Sequence, residues 1–186
     1  MKKGCFRTVL MIVLFAVLLV TLGPRLIRLG MKQIYPQKYT EIVQNNAVRY
    51  NLDSQLVYAV IYTESKFREN AVSPAGANGL MQLTEETYDW VRTFSGAPAA
   101  DSGDIYTPEN NIGIGCALLR YLWDYYGSLD VALSAYNAGM GNVSGWLKNK
   151  EYSRDGKTLD EIPFPETKKY VERVHRAQDI YRRLYE

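Results

Sequence analysis

An unbroken apolar stretch near the start of the chain constrains its fold more than any other feature. All residues from Val9 to Leu22 are apolar except Thr21, and three bases precede them: Lys2, Lys3 and Arg7. A basic start followed by an apolar run is the pattern of a segment that directs a protein into or across a membrane. As a helix, these 14 residues span about 21 Å, which is short of the roughly 30 Å hydrocarbon core of a bilayer.

Residues just beyond this stretch lengthen it enough to cross a membrane. They are Leu26, Ile27 and Leu29, together with Arg25 and Arg28, whose charged ends can reach the lipid headgroups. No convincing signal-peptidase site is present, because Pro24 follows Gly23, the candidate small residue, and hinders cleavage. We therefore predict that residues 1–33 are an uncleaved single-pass anchor, with the N-terminus in the cytoplasm and the remainder outside. A cleaved export signal and a buried core helix are the alternatives.

Charge is divided unevenly along the chain. The 186 residues carry a formal net charge of +2, although the first 33 residues alone carry +6. From residue 34 onward, 16 basic residues face 20 acidic ones, and an acidic body argues against nucleic acid as a partner. The length suits one domain and an appendage. Apolar residues at 47% and charged residues at 23% are typical of a globular protein rather than a disordered or polytopic membrane chain.

Few residues are of the types that bind metals or act as nucleophiles. The two cysteines, Cys5 and Cys116, and the single histidine, His175, are too few for a disulfide framework, a cysteine-based zinc site or a His-rich metal centre. Cys116 falls on the apolar face of a predicted helix, so we expect a packed core thiol. Any catalysis must therefore depend on carboxylates and other polar side chains.

Apolar residues in the rest of the chain recur with helical spacing, and alternating strand patterns are scarce. We predict an all-α domain over residues 34–186, joined to the anchor by a linker over 31–37. Three predicted helices cover residues 38–50, 54–65 and 128–139, and Asp53 or Ser54 caps the second of them. Two more helices begin at Thr84 and at Thr107-Pro108. The last helix begins at Pro165 or Glu166 and runs nearly to Glu186. Residues 73–79, 95–106 and 148–162 are predicted loops.

Glu64 has the most unusual sequence position of the carboxylates. It lies at the C-terminal end of an apolar helix that begins near Leu56. An apolar setting raises the pKa of a carboxyl group, and the negative end of the helix dipole raises it further. Both effects favour a protonated Glu64 near neutral pH, as a general acid requires. From position alone, an exposed glutamate at a helix end is the more common explanation.

Four motifs occur in order from this glutamate onward. They are Glu64-Ser65-Lys66-Phe67 continuing through Ser73-Pro74-Ala75-Gly76 to Gly79-Leu80-Met81-Gln82, then Pro108-Glu109-Asn110-Asn111-Ile112, Ala135-Tyr136-Asn137-Ala138-Gly139, and Glu166-Thr167 with Tyr170-Val171. Together, over about residues 38–185, they closely resemble the lytic transglycosylases of the soluble-lytic-murein-transglycosylase type, which are lysozyme-like enzymes that cut peptidoglycan. The resemblance implies a lysozyme-like catalytic domain over residues 34–186 with Glu64 as its catalytic acid.

The loop after Glu64 has residues suited to a sugar ligand. Gly76 and Gly79 permit positive φ and a close backbone approach. Gln82 offers an amide donor and a carbonyl acceptor to hydroxyl and N-acetyl groups, and Met81 supplies an adaptable apolar wall. By the resemblance, Ser73 contacts the N-acetyl sugar. The simpler interpretations are a plain turn for the glycines, a core position for Met81 and a local turn hydroxyl for Ser73.

Three later residues complete the predicted substrate site. Tyr136 has a hydroxyl that can hydrogen-bond the Glu64 carboxyl and hold its rotamer. Asn137 is either a helix C-cap or a substrate ligand, and the sequence does not separate the two. Tyr170 lies on the terminal helix, where we expect it to close one wall of the cleft.

The resemblance also implies a reaction. The bond between N-acetylmuramic acid and N-acetylglucosamine is cut without water, which leaves a 1,6-anhydro end. This implied reaction needs no metal and no organic cofactor. One carboxylic acid suits this reaction, whereas ordinary glycosidases use two; the candidates for a second acid, Asp53, Glu85, Glu86 and Asp89, are more simply explained by helix capping. A goose-type hydrolytic muramidase and a non-catalytic glycan-binding module are the alternatives. The expected partners are peptidoglycan strands and the membrane, and no envelope-complex partner is indicated.

Overall fold

Helices provide all the regular secondary structure in the residues that a computed structural model describes, 2–95 and 104–186. They are α1 (Lys2–Ile34), α2 (Thr40–Arg49), α3 (Ser54–Ser65), α4 (Glu85–Arg92), α5 (Pro108–Tyr126), α6 (Leu129–Ala138), α7 (Met140–Lys148) and α8 (Pro165–Tyr185). Two isolated β-bridges join Asn78 to Val72 and to Leu83 within the loop after α3. The predicted all-α fold is confirmed. The predicted loop over 95–106 lies mostly outside the described residues.

α1 is longer than the sequence predicts. Residues 31–34 of the expected linker are helical, and Pro24 lies inside the helix. The helix ends just before Pro36, in keeping with the tendency of proline to disfavour the helical conformation in the residue before it. The span Leu10–Ile34 is long and apolar enough to cross a membrane, and it is not buried against the rest of the molecule. Near its end, the Arg28 guanidinium donates hydrogen bonds of 2.7 and 3.3 Å to the Leu184 carbonyl, which ties α1 to α8.

Side-chain caps set the start of two helices as predicted. Asp53 and Thr84 accept hydrogen bonds, of 2.8 and 3.2 Å, from backbone N–H groups in the first turns of α3 and α4. Thr107 precedes α5 as expected, but its hydroxyl donates to the Asp104 carbonyl and does not cap the helix. Thr107 therefore occupies the predicted N-cap position, but the expected capping hydrogen bond of its hydroxyl is wrong.

The sequence does not predict α7. Two glycines, Gly141 and Gly145, lie within it, and glycine is a poor helix former. Its Val143 and Trp146, three residues apart on one face, are both buried in the core. Tertiary packing of these two side chains therefore stabilises a helix that local preference does not.

Two hydrophobic clusters form the core, and α5 contributes to both. The first joins α5 to α2, α3 and α8, and the second joins it to α4, α6 and α7. Cys116 is completely buried in the first cluster, as predicted. α3 is buried along most of its length and packs most extensively on α8. Glu64 therefore emerges at the end of a fixed core helix.

Candidate active site

Glu64 lies one residue before the end of α3, with its side chain half-buried. Burial raises the pKa of its carboxyl group from 4.5 to about 7, while neighbouring Tyr170 and Arg173 act in the opposite direction. The cause is the one that the sequence suggests, an apolar setting that disfavours the charged form. Glu64 therefore keeps its proton near neutral pH and can donate it.

Tyr170 faces Glu64 from α8 and is 1% exposed. Burial and the charge of Glu64 raise the pKa of the Tyr170 hydroxyl well above its usual value of 10, so this group keeps its proton. The hydroxyl is buried and has no hydrogen-bonding partner among the described residues, so it lies beside the Glu64 carboxyl without completing a hydrogen bond to it. Because an unpaired buried hydroxyl is costly, it is a donor available to a ligand or to the ionised carboxylate.

Tyr136 is also near Glu64 but has a different partner from the one predicted. Its hydroxyl donates a 2.8 Å hydrogen bond to the Met81 carbonyl. The predicted bond to the Glu64 carboxyl is therefore wrong. Burial and the Glu64 charge raise the pKa of the Tyr136 hydroxyl well above 10, which keeps it a donor. Tyr136 thus attaches the loop that follows Glu64 to α6.

Asn111 on α5 is hydrogen-bonded to the same loop. This residue was assigned no role in the sequence analysis. The side chain is completely buried. Its Oδ1 accepts the Met81 N–H at 2.7 Å, and its Nδ2 donates to the carbonyls of Asn78 and Ile105 at 3.1 and 2.8 Å. The one signal for this role was an asparagine among the apolar residues of α5, because a buried amide must find partners.

Gly79 and Met81 pack the loop against residues of α5. Gly79 has φ of +78°, as expected, but its close neighbour is protein: a Cβ there would lie 2.2 Å from Asn111 Nδ2. Met81 is completely buried, and a Cβ on Gly115 would lie 2.4 Å from its sulfur. Both residues are buried and pack the loop, and contact of either residue with glycan stays a prediction.

Gln82 and Ser73 have fewer free polar groups than predicted. The Gln82 amide nitrogen donates to the carbonyls of Ala71 and Gly79 at 3.0 and 2.9 Å, which leaves its side-chain oxygen as an acceptor. The Ser73 Oγ accepts the Ala77 N–H at 3.0 Å, the local turn bond considered above, and keeps its own hydrogen to donate. Contact of either residue with glycan stays a prediction.

Asn137 is exposed near the end of α6. The C-cap of that helix is Gly139, so the capping interpretation of Asn137 is wrong. Its Oδ1 accepts a 2.8 Å hydrogen bond from the Thr167 hydroxyl on α8. This bond fixes the side chain while leaving its amide nitrogen as a donor.

The other candidate acids are explained by their helices. Asp53 caps the opposite end of α3 and accepts hydrogen bonds from Gln178 and Arg182. Glu85, Glu86 and Asp89 are exposed on α4. Among the described residues, no group of three or more His, Cys, Asp or Glu side chains is placed to hold a metal ion.

A family model and individual relatives of this chain agree on one protein family. Residues 41–159 match the transglycosylase SLT domain family. The soluble lytic murein transglycosylase of Escherichia coli (strain K12) is 32% identical over 158 residues, which cover 83% of this chain and 24% of that protein. Membrane-bound lytic murein transglycosylase C of Yersinia pestis (strain Pestoides F) is 32% identical over 170 residues, 78% of this chain and 47% of that protein. The chain thus spans less than half the length of these relatives.

Solved structures share the fold. The lytic transglycosylase Slt of Pseudomonas aeruginosa superposes with a TM-score of 0.69 at 30% identity, over 81% of this chain and 25% of that one. The 70-kDa soluble lytic transglycosylase of Escherichia coli gives a TM-score of 0.71 at 27% identity, over 82% of this chain and 25% of that one. The predicted lysozyme-like fold is confirmed.

Proposed function

Because this chain belongs to the transglycosylase SLT domain family, we propose that it is a lytic transglycosylase that cuts peptidoglycan glycan strands. The observation that carries the proposal is Glu64, a half-buried carboxyl group whose pKa burial raises to about 7. A general acid works best when its pKa lies near the working pH. No second acid is required by the proposed reaction.

In this reaction, Glu64 serves first as acid and then as base. The carboxylic acid protonates the glycosidic oxygen between N-acetylmuramic acid and N-acetylglucosamine, and the bond from that oxygen to the muramyl C1 breaks. The substrate's own N-acetyl group stabilises the positive charge at C1. The Glu64 carboxylate then removes the proton of the muramyl C6 hydroxyl, and that oxygen bonds to C1. The products are a 1,6-anhydro end and a free N-acetylglucosamine hydroxyl, and no water is consumed.

Residues around Glu64 have the polar groups that such a substrate needs. The Tyr170 hydroxyl lies beside the carboxyl and has no hydrogen-bonding partner within the described part of the chain. It is suited to stabilising Glu64 once this group is ionised. Among the described residues, the Asn137 amide nitrogen and the Gln82 side-chain oxygen have no hydrogen-bonding partner, so they are available to sugar hydroxyl and N-acetyl groups. Ser73 is the remaining candidate for the N-acetyl sugar.

The Glu64→Gln variant tests the assignment. The amide keeps the size and polarity of the side chain but cannot cycle between acid and base, so we expect turnover to fall by at least ~10²-fold. Glu41→Gln, the same change at an exposed position on α2, should keep parental activity. Mass spectrometry of the products identifies the reaction: anhydro ends support the proposal, reducing ends would indicate a hydrolytic muramidase, and uncut glycan would indicate a binding module.

The pH dependence of kcat/KM is a second test. The proposed acid must be protonated in the free enzyme, and the pKa of Glu64 is about 7. We therefore expect kcat/KM to fall as the pH rises through about 7. A plateau that extends to pH 9 would contradict Glu64 as the acid.

We further propose that residues 1–33 are a single-pass membrane anchor and that residues 34–186 form an extracytoplasmic catalytic domain. Support comes from the apolar span Leu10–Ile34, the bases that precede it, and a relative whose name describes it as membrane-bound. In intact protoplasts, added protease should degrade the domain of the full-length protein, while a cytoplasmic control protein survives. A protected domain would contradict this topology, and a shortened protein in the medium would indicate a cleaved signal.

A further inference from the structure

Four aromatic rings meet where the C-terminal ends of α4 and α5 pack together, and the proposed reaction does not use them. The rings of this outer aromatic cluster belong to Trp90, Phe94, Tyr121 and Tyr125. The ring centroid of Tyr121 lies 5.3 Å from that of Trp90, 4.9 Å from that of Phe94 and 6.1 Å from that of Tyr125. Tyr121 also lies about 15 Å further along α5 than Asn111, which bonds the loop after Glu64. The cluster is therefore separate from the Glu64 site.

The outer aromatic cluster faces solvent. The exposed fractions are 39% for Trp90, 44% for Phe94 and 61% for Tyr125. Adjoining exposed aromatic side chains are unusual on a protein surface and mark a site of interaction. In the described part of the chain, the Trp90 indole N–H and the hydroxyl groups of Tyr121 and Tyr125 have no hydrogen-bonding partner. The cluster thus combines flat apolar faces with polar groups that a ligand can use.

Contacts with neighbouring rings hold the cluster in place. Trp90 lies edge-on to Phe94, with their ring centroids 5.0 Å apart. Tyr125 lies edge-on to Tyr126 with a centroid distance of 4.8 Å, and the Tyr126 hydroxyl donates a 3.3 Å hydrogen bond to the Met140 carbonyl of α7. Because these rings are already ordered, a ligand that stacks on them incurs little entropic cost.

The charges next to these rings in the sequence occur as ion pairs. Asp89 pairs with Arg92 on α4 at 3.7 Å, and Arg120 pairs with Asp124 on α5. The two pairs carry no net charge that would attract an anionic surface such as a layer of lipid headgroups. The cluster therefore suits an uncharged ligand that has an apolar face and polar edges, as N-acetylglucosamine has.

We propose that the outer aromatic cluster is a second glycan-binding surface, on which N-acetylglucosamine rings of a murein strand stack outside the Glu64 cleft. The inference rests on the proposed function for the identity of the glycan. The axial C–H bonds of a β-linked N-acetylglucosamine give each ring face weakly positive hydrogens, which complement the negative face of an aromatic ring. Hydroxyl and N-acetyl groups at the sugar edge can bond the polar groups of Trp90, Tyr121 and Tyr125. A strand held at both places binds more tightly than one held in the cleft alone.

The experiment measures equilibrium binding to full-length Glu64→Gln protein in lipid nanodiscs. The probes are long peptide-free murein strands, which can reach from the cleft to the cluster, and a tetrasaccharide of the same glycan. Adding Trp90→Ala/Tyr125→Ala should weaken binding of the long strands by roughly tenfold and leave binding of the tetrasaccharide unchanged. Trp90→Phe/Tyr125→Phe is the matched control, which keeps both rings and should retain most of the affinity. Trp90→Leu/Tyr125→Leu keeps apolar side chains without flat faces and should lose as much affinity as the alanine variant.

Unchanged binding of long strands by the alanine variant would overturn the second surface. So would full affinity in the leucine variant, because any apolar side chain would then suffice, or equal losses on long strands and tetrasaccharide, because the effect would then lie in the cleft or the fold. Self-association of the parent that the alanine variant abolishes would assign the cluster to a second copy of this chain instead. If the parent makes no anhydro product, the proposed function fails, while these binding measurements still decide the role of the cluster.

Discussion

Two long irregular segments of the molecule are held together in opposite ways. The site loop, residues 66–84, buries Phe67, Leu80, Met81 and Leu83 and is bonded from beneath by Asn111 on α5. The outer loop, residues 149–164, is stabilised by its own exposed aspartates. Asp155 accepts the N–H groups of Lys157 and Thr158 at 2.8 Å, and Asp160 pairs with Arg154 at 2.6 Å.

Backbone conformation reflects the same difference. Non-glycine residues with positive φ occur at Lys66, Phe67 and Gln82 of the site loop, whereas the outer loop has positive φ at Gly156. Such conformations persist in non-glycine residues where the surroundings impose them. The core therefore imposes the shape of the site loop, while the outer loop follows its local hydrogen bonds. Substitutions in the core should thus affect the site, and substitutions in the outer loop should not.

The largest expected effect is at Asn111. Asn111→Ala leaves the buried Met81 N–H and the carbonyls of Asn78 and Ile105 without their partner, so we expect a loss of roughly 3 kcal/mol of unfolding free energy and of most activity. Asn110→Ala is the control, because the one hydrogen bond of this neighbouring buried side chain to the described residues goes to the Asp104 carbonyl. Chemical denaturation and an activity assay measure both. Loss of activity in Asn110→Ala but not in Asn111→Ala would contradict the conclusion that the core, through Asn111, imposes the shape of the site loop.

A smaller effect is expected from a matched pair of glycines in the site loop. Gly79 and Gly76 both have φ of +78°, but a Cβ lies 2.2 Å from Asn111 Nδ2 at Gly79 and meets nothing within 4 Å at Gly76. Both alanine variants carry the cost of positive φ, about 1 kcal/mol, and only Gly79→Ala adds the steric clash. We expect Gly79→Ala to melt at a lower temperature than Gly76→Ala. Equal melting temperatures would mean that Asn111 does not constrain this loop.

The smallest effect is expected in the outer loop. Backbone hydrogen bonds from Thr158 and Lys157 hold the pKa of Asp155 well below its usual value, so the native state favours the carboxylate. The stabilisation is present above about pH 4, the ordinary aspartate pKa, and is lost as the pH falls through the folded pKa. Asp155→Asn should melt slightly below the parent at pH 7, approach it in strong acid, and keep full activity. Reduced activity in this variant would show that the outer loop also shapes the site.

The sequence predicts the parts of this molecule whose signals are local. Asp53, Thr84 and the apolar face around Cys116 were correctly interpreted because caps and helical periodicity act over a few residues. Its place at the end of an apolar helix drew attention to Glu64, but the resemblance of the motifs that follow it, and not its position alone, implied a catalytic role. The partner of Tyr136 and the burial of Met81 depend on which helices meet, and no short-range pattern encodes that. α7 was missed because its helix is stabilised by Val143 and Trp146 in the core and not by local preference.

The hydrogen bonds between Arg28 and Leu184 limit how far the proposed active site can lie from the proposed membrane anchor. Leu184 lies near one end of α8 and Tyr170 near the other, and the intervening stretch of helix is about 21 Å long. With α1 in the membrane, as proposed, the cleft is held within about that distance of the junction of the two helices. Glycan close to the membrane can then reach the cleft, whereas glycan in the outer layers of a thick wall cannot.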